Sequence, residues 1–70
     1  MSDIVECHSE HKYAERPVAF TWKAQRLEIS EIVDRWHSPG EKCFRVRTTD
    51  GQIFELCYDE FTDEWRIRQP

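Results

Sequence analysis

Apolar residues recur at every second position through Cys43-Phe44-Arg45-Val46-Arg47-Thr48 and again through Gln52-Ile53-Phe54-Glu55-Leu56-Cys57-Tyr58, the period of a strand with one buried face. Between them, a three-residue loop with Gly51 in the left-handed conformation sets the register of a hairpin. Phe44 then faces Leu56 and Val46 faces Phe54 on one side, while Arg45 meets Glu55 and Cys43 meets Cys57 on the other. A two-residue turn at Asp50-Gly51 would put Val46 opposite Glu55 and mix the faces, so it is rejected.

Upstream, Val18, Phe20 and Trp22 alternate with Ala19, Thr21 and Lys23, and Ala24-Gln25-Arg26 reads as a short connection. Leu27, Ile29, Ile32, Val33 and Trp36 fit a helical stripe as well as a strand. Strand is preferred because the run is rich in β-branched residues, has no capping box and closes on Pro39-Gly40 as a turn. The phase shift from Ile29 to Ile32 calls for a β-bulge near Ser30-Glu31, which would bend the strand. After a turn at residues 59–63, Trp65 and Ile67 return to the period of two. The chain is therefore expected to be all-β: a five-stranded antiparallel meander, closed as an SH3-like small barrel over residues 17–70. Its expected core is Phe20, Trp22, Leu27, Ile29, Ile32, Phe44, Val46, Phe54, Leu56, Trp65 and Ile67. Residues 1–16 form a polar N-terminal arm, with Ile4-Val5-Glu6-Cys7 as a candidate extra edge strand.

Seventy residues with 39% hydrophobic side chains and 13% aromatics leave a few large rings to do most of the burying. Fourteen acids against ten bases give a net charge of −4, which repels a polyanion at long range and disfavours a non-specific nucleic-acid binder. The acid excess sits at the two ends of the chain, so the neutral middle can still carry a local basic face. No apolar run reaches bilayer-spanning length and the N-terminus lacks signal-peptide features, giving the expectation of a cytoplasmic protein without membrane contact. Three cysteines without C-x-x-C spacing favour reduced thiols. Cys43 and Cys57 nevertheless face each other at a pair whose geometry admits a cross-strand disulfide.

Pro17-Val18-Ala19-Phe20-Thr21-Trp22-Lys23-Ala24-Gln25-Arg26, Ile32-Val33-Asp34-Arg35-Trp36, Phe44-Arg45-Val46-Arg47-Thr48-Thr49-Asp50-Gly51, Phe54-Glu55-Leu56-Cys57-Tyr58-Asp59 and Trp65 together resemble a small bacterial domain family of unknown function. Its members combine a P-x-x-F-x-W-x-G-R block, a central Trp, a D-G hairpin and a late Trp. Here Ala24-Gln25 stands where that family has glycine before arginine. The resemblance covers residues 17–67, speaks to core and turns, and carries over no catalytic residue. Some members sit beside DNA-repair polymerases, and the resemblance implies no more than that neighbourhood.

Candidate chemistry is sparse. Arg45, Arg47, Arg66 and Arg68 occupy outward alternate positions and could line one face for phosphates or an acidic partner, although Arg45 opposite Glu55 is also an ordinary cross-strand pair. Trp22, Trp36 and Tyr58 offer aromatic surface of the kind small barrels use to hold peptides, against the reading that such rings belong to the core. The rim Trp36-His37-Ser38-Pro39-Gly40 is the expected binding loop. Cys7, His8 and His11, with Cys43 or Cys57, would be a zinc set lacking the usual paired short spacings, so no metal or cofactor is expected. Asp59-Glu60 and Asp63-Glu64 read as solvated acids in turns. The expectation is a monomeric, non-enzymatic module that binds another protein through Trp36, His37 and the arginines. A nucleic-acid-binding accessory domain, in a DNA-repair setting, is the alternative.

Overall fold

Six antiparallel strands, one more than expected for the core sheet, follow one another in a single meander: β1 (Val5–Cys7), β2 (Pro17–Trp22), β3 (Gln25–Ser38), β4 (Glu41–Thr48), β5 (Ile53–Asp59) and β6 (Glu64–Arg68). The computed structural model describes residues 4–7 and 16–70. The extra strand is the candidate edge segment, whose Val5 pairs with Phe20; the remainder of the expected arm lies outside the described residues. No helix occurs among those residues, and none is long and apolar enough to cross a membrane.

The β4–β5 register is the one that the loop chemistry predicts: Phe44 pairs with Leu56, Arg45 with Glu55, Val46 with Phe54 and Cys43 with Cys57. Gly51 adopts φ +88°, where a Cβ would be strained. Its N–H donates to Thr48 O at 2.9 Å, and the Gln52 N–H donates to Thr48 Oγ1 at 3.0 Å. Thr48 is buried, so its carbonyl and hydroxyl are satisfied by these bonds within the loop.

β3 makes the sheet curl. Its first residues pair with β2, from Gln25 opposite Trp22 to Glu28 opposite Ala19, and the remainder pairs with β4. Two bulges interrupt the second pairing, between Ile29 and Glu31 and between Ile32 and Asp34. Each adds a residue to one strand and increases local bend and twist, so the six strands wrap as a half-barrel. Ser30, in the first bulge, caps the disrupted ladder by donating its hydroxyl to Arg47 O at 3.0 Å. The β2–β3 turn is tighter than expected, with Lys23 and Ala24 both at positive φ and Gln25-Arg26 already in β3.

Inside the curl, Phe20, Leu27, Phe44, Val46, Phe54, Leu56 and Ile67 are buried, while Trp22, Ile29, Ile32 and Trp65 pack half-buried against them. Phe54 is the hub, its ring edge-on to Phe20 at 4.9 Å and to Trp22 at 5.4 Å. Tyr58, expected as a surface ring, is buried and tilted against Trp65. It faces the core because it continues the alternation of Phe54 and Leu56.

Candidate functional site

The side of the sheet facing away from the core carries three rows of residues across β3 to β6. Trp36, Cys43, Cys57 and Arg66 form the middle row; Asp34, Arg45, Glu55 and Arg68 flank it on one side, and Ser38, Glu41, Asp59 and Glu64 on the other. The second bulge creates this arrangement. Simple alternation from Ile32 would send Trp36 toward the core, but the extra residue Val33 shifts the phase. Trp36 therefore stands opposite Cys43 on the outer face, 37% exposed.

A groove of about 440 Å³ runs along this face, with Trp36, Glu41, Cys43, Cys57, Arg66 and Arg68 among its walls. Trp36 is covered by Arg45, whose guanidinium carbon lies 5.8 Å from the ring centroid, a cation–π contact. Glu55, nearly buried, receives Arg45 on one carboxylate oxygen at 2.8 Å and Arg68 on the other at 2.7 Å. Those two hydrogen bonds hold its carboxyl below the usual carboxylate range.

Glu55 consequently links pH to stability. A carboxyl with a lower pKa folded than unfolded contributes stability that is complete above its unfolded value and is lost as pH falls through the folded one. The lowered Asp50 and Asp59 carboxyls act in the same direction. Urea midpoints should therefore fall as the pH drops below the ordinary glutamate value of 4.5. Glu55→Gln should lower the midpoint at pH 7, and its effect should shrink progressively as the pH falls below the ordinary glutamate value; an effect that does not change with pH would show that the charge of Glu55 is not what matters.

Cys43 and Cys57 are joined as a disulfide, which corrects the expectation of reduced thiols. They occupy a non-hydrogen-bonded pair with Cα atoms 4.1 Å apart, the cross-strand position where side chains come closest. Cys43 is buried and Cys57 half-buried. With Glu41 they place a carboxylate and two sulfurs within 4.8 Å of one another, but bonded sulfurs are not thiolate ligands. Cys7 is a free, half-buried thiol whose pKa burial raises; its suggested zinc partners His8 and His11 lie outside the described residues.

Four of the six residues singled out from the sequence, Trp36, Arg45, Arg66 and Arg68, meet on this face. His37 does not, since neighbours on a strand point to opposite sides; its Nε2 lies 3.1 Å from Glu60 at the foot of the β5–β6 turn. Arg47 is on the outer face but is held by an ion pair with Glu31, away from the groove. Three of the four arginines are thus paired to carboxylates. Arg66 has no direct ion pair among the described residues; its charge acts at longer range on Asp59. Trp22, expected in the core and weighed also as a surface ring, is half-buried against the core. The hairpin register admits the disulfide without requiring it, and it shows Glu55 only as the ordinary cross-strand partner of Arg45. Comparison with protein-family models, curated proteins and solved structures finds no match for this chain.

Proposed function

We propose that this chain is a non-enzymatic, SH3-like interaction module that holds an acidic, extended segment of another protein along the outer face of β3 to β6. The observation that carries this reading is the juxtaposition of an exposed Trp36 with Arg66, which has no direct ion pair among the described residues, in the walls of one groove. A partly open indole offers large contact area at little conformational cost, and a guanidinium supplies a forked donor for a carboxylate. Among the described residues, Arg45 and Arg68 share the single carboxylate of Glu55 and Arg47 pairs with Glu31, so two of the four arginine charges are balanced and Arg66 is the one without a direct ion pair. That supports a protein ligand over the nucleic-acid alternative, because a phosphate backbone is held by several uncompensated cations at once.

The test is a titration of the isotope-labelled chain with acidic peptides selected from a displayed library, followed by amide and indole resonances. Shifts should cluster at Trp36, Cys43, Cys57 and Arg66, and both Trp36→Ala and Arg66→Gln should weaken binding by about tenfold or more, roughly 1.4 kcal/mol each. Peptides that shift the opposite face, or that bind Trp36→Ala unchanged, would overturn the reading. Single- or double-stranded DNA that shifts the same resonances, with an affinity falling steeply as salt is added, would establish the alternative.

A further inference from the structure

We propose that Cys43–Cys57 is a solvent-addressable redox disulfide, opened at Cys57 by small anionic thiols that Arg66 recruits. The inference stands whether or not the same face binds a protein partner. It rests on three features of the groove. The two cysteines differ in access, Cys43 being 2% exposed and Cys57 half-buried, so an incoming thiolate meets Cys57 first. The surroundings are equally asymmetric: the cross-strand neighbour of Cys43 is Trp36 on β3, and that of Cys57 is Arg66 on β6. Displacement at sulfur proceeds from the side opposite the leaving sulfur. Attack on Cys57 therefore comes from the β6 side, where the Arg66 guanidinium stands, whereas attack on Cys43 comes from the β3 side, where an indole stands. Finally, a groove of about 440 Å³ is of the size that admits a small molecule; the Glu41 carboxylate, within 4.8 Å of both sulfurs, repels an anion from the β4 side, so an attacking thiol bearing carboxylates finds its counter-charge on the β6 side, in Arg66.

The exchange balances without any other reactant. The thiol gives its proton to solvent, and its sulfur forms a bond to Cys57 Sγ. The Cys43–Cys57 bond breaks, and Cys43 leaves with the electron pair as a thiolate, which then takes up a proton. A second thiol attacks the mixed disulfide, releases the oxidised small-molecule disulfide and leaves Cys57 reduced. Two thiols have then supplied two electrons to the pair.

The experiment exposes the full chain to reduced glutathione, to neutral 2-mercaptoethanol and to cationic cysteamine, quenches with an alkylating agent at intervals, and maps adducts by mass spectrometry. Glutathione should be found on Cys57 with the alkyl group on Cys43. Arg66→Gln should slow opening by glutathione about fivefold, the effect of one near-contact charge pair in water, while leaving 2-mercaptoethanol within about twofold. Tryptophan fluorescence verifies that the variant is folded, as an exposed strand residue permits. Four results would each overturn the proposal. They are an adduct on Cys43, equal slowing of all three thiols by Arg66→Gln, an opening rate that rises with urea in step with global unfolding, and thiols at Cys43 and Cys57 that stay separate in oxidised glutathione.

Discussion

Phe54→Ala is expected to lower the unfolding free energy by about 3–5 kcal/mol, the usual range for removing a fully buried ring. Phe54 is completely inaccessible and touches the rings of both Phe20 and Trp22, so its loss removes two edge-to-face contacts along with the buried area. The hole cannot collapse easily. Phe54 is fixed in register opposite Val46 on β4, while Phe20 and Trp22 belong to β2, so closing the gap would mean moving strands on opposite sides of the curl. For a chain of this length, total stability is on the order of 0.05–0.15 kcal/mol per residue, so the loss removes a large fraction of it and, at the lower end of that range, leaves the variant near its unfolding midpoint in water. Phe61→Ala is the matched control, since Phe61 is 85% exposed and its truncation should change stability by less than about 0.5–1 kcal/mol. Urea titrations read by tryptophan fluorescence compare the two; similar losses would mean that the core is not centred on Phe54.

The features legible in the sequence are those set by local chemistry. The hairpin register follows from a three-residue loop that needs a left-handed Gly51, because only one pairing then keeps Phe44, Val46, Phe54 and Leu56 on the same side. The first bulge shows itself as a phase break between Ile29 and Ile32. The second leaves no such mark: Ile32 and Val33 are adjacent β-branched residues, and polar neighbours follow on both faces, so the need to insert Val33 arises only once β3 must leave β2 and bend onto β4. Trp36 stands in the groove for that reason. The β2–β3 turn was obscured differently, because Lys23 and Ala24 hold left-handed conformations that sequence signals assign to Gly or Asn. The burial of Glu55 was hidden because it depends on Arg68 arriving from β6; the hairpin alone shows only an exposed pair with Arg45.

Reducing the Cys43–Cys57 bridge is expected to lower stability by about 3 kcal/mol and the midpoint of thermal unfolding by roughly 15 °C. The bridged residues are 14 apart in sequence, and constraining a loop of that length removes denatured-state entropy on that scale. The residues that set the register are separate from the bond: Phe44, Val46, Phe54 and Leu56 are buried on the opposite, core face of the hairpin, and the loop from Thr48 to Gln52 closes through its own hydrogen bonds. The reduced chain should therefore keep its β4–β5 pairing below the new midpoint, with cross-strand contacts between Phe44 and Leu56 still visible by nuclear Overhauser effects. Replacing both cysteines by alanine should destabilise slightly more than reduction, because it also empties the buried space of Cys43. Calorimetry of the oxidised, reduced and double-alanine chains separates the two contributions. A reduced chain within about 1 kcal/mol of the oxidised one would mean that the hairpin already confines these residues in the denatured ensemble, and that the bridge contributes little to stability.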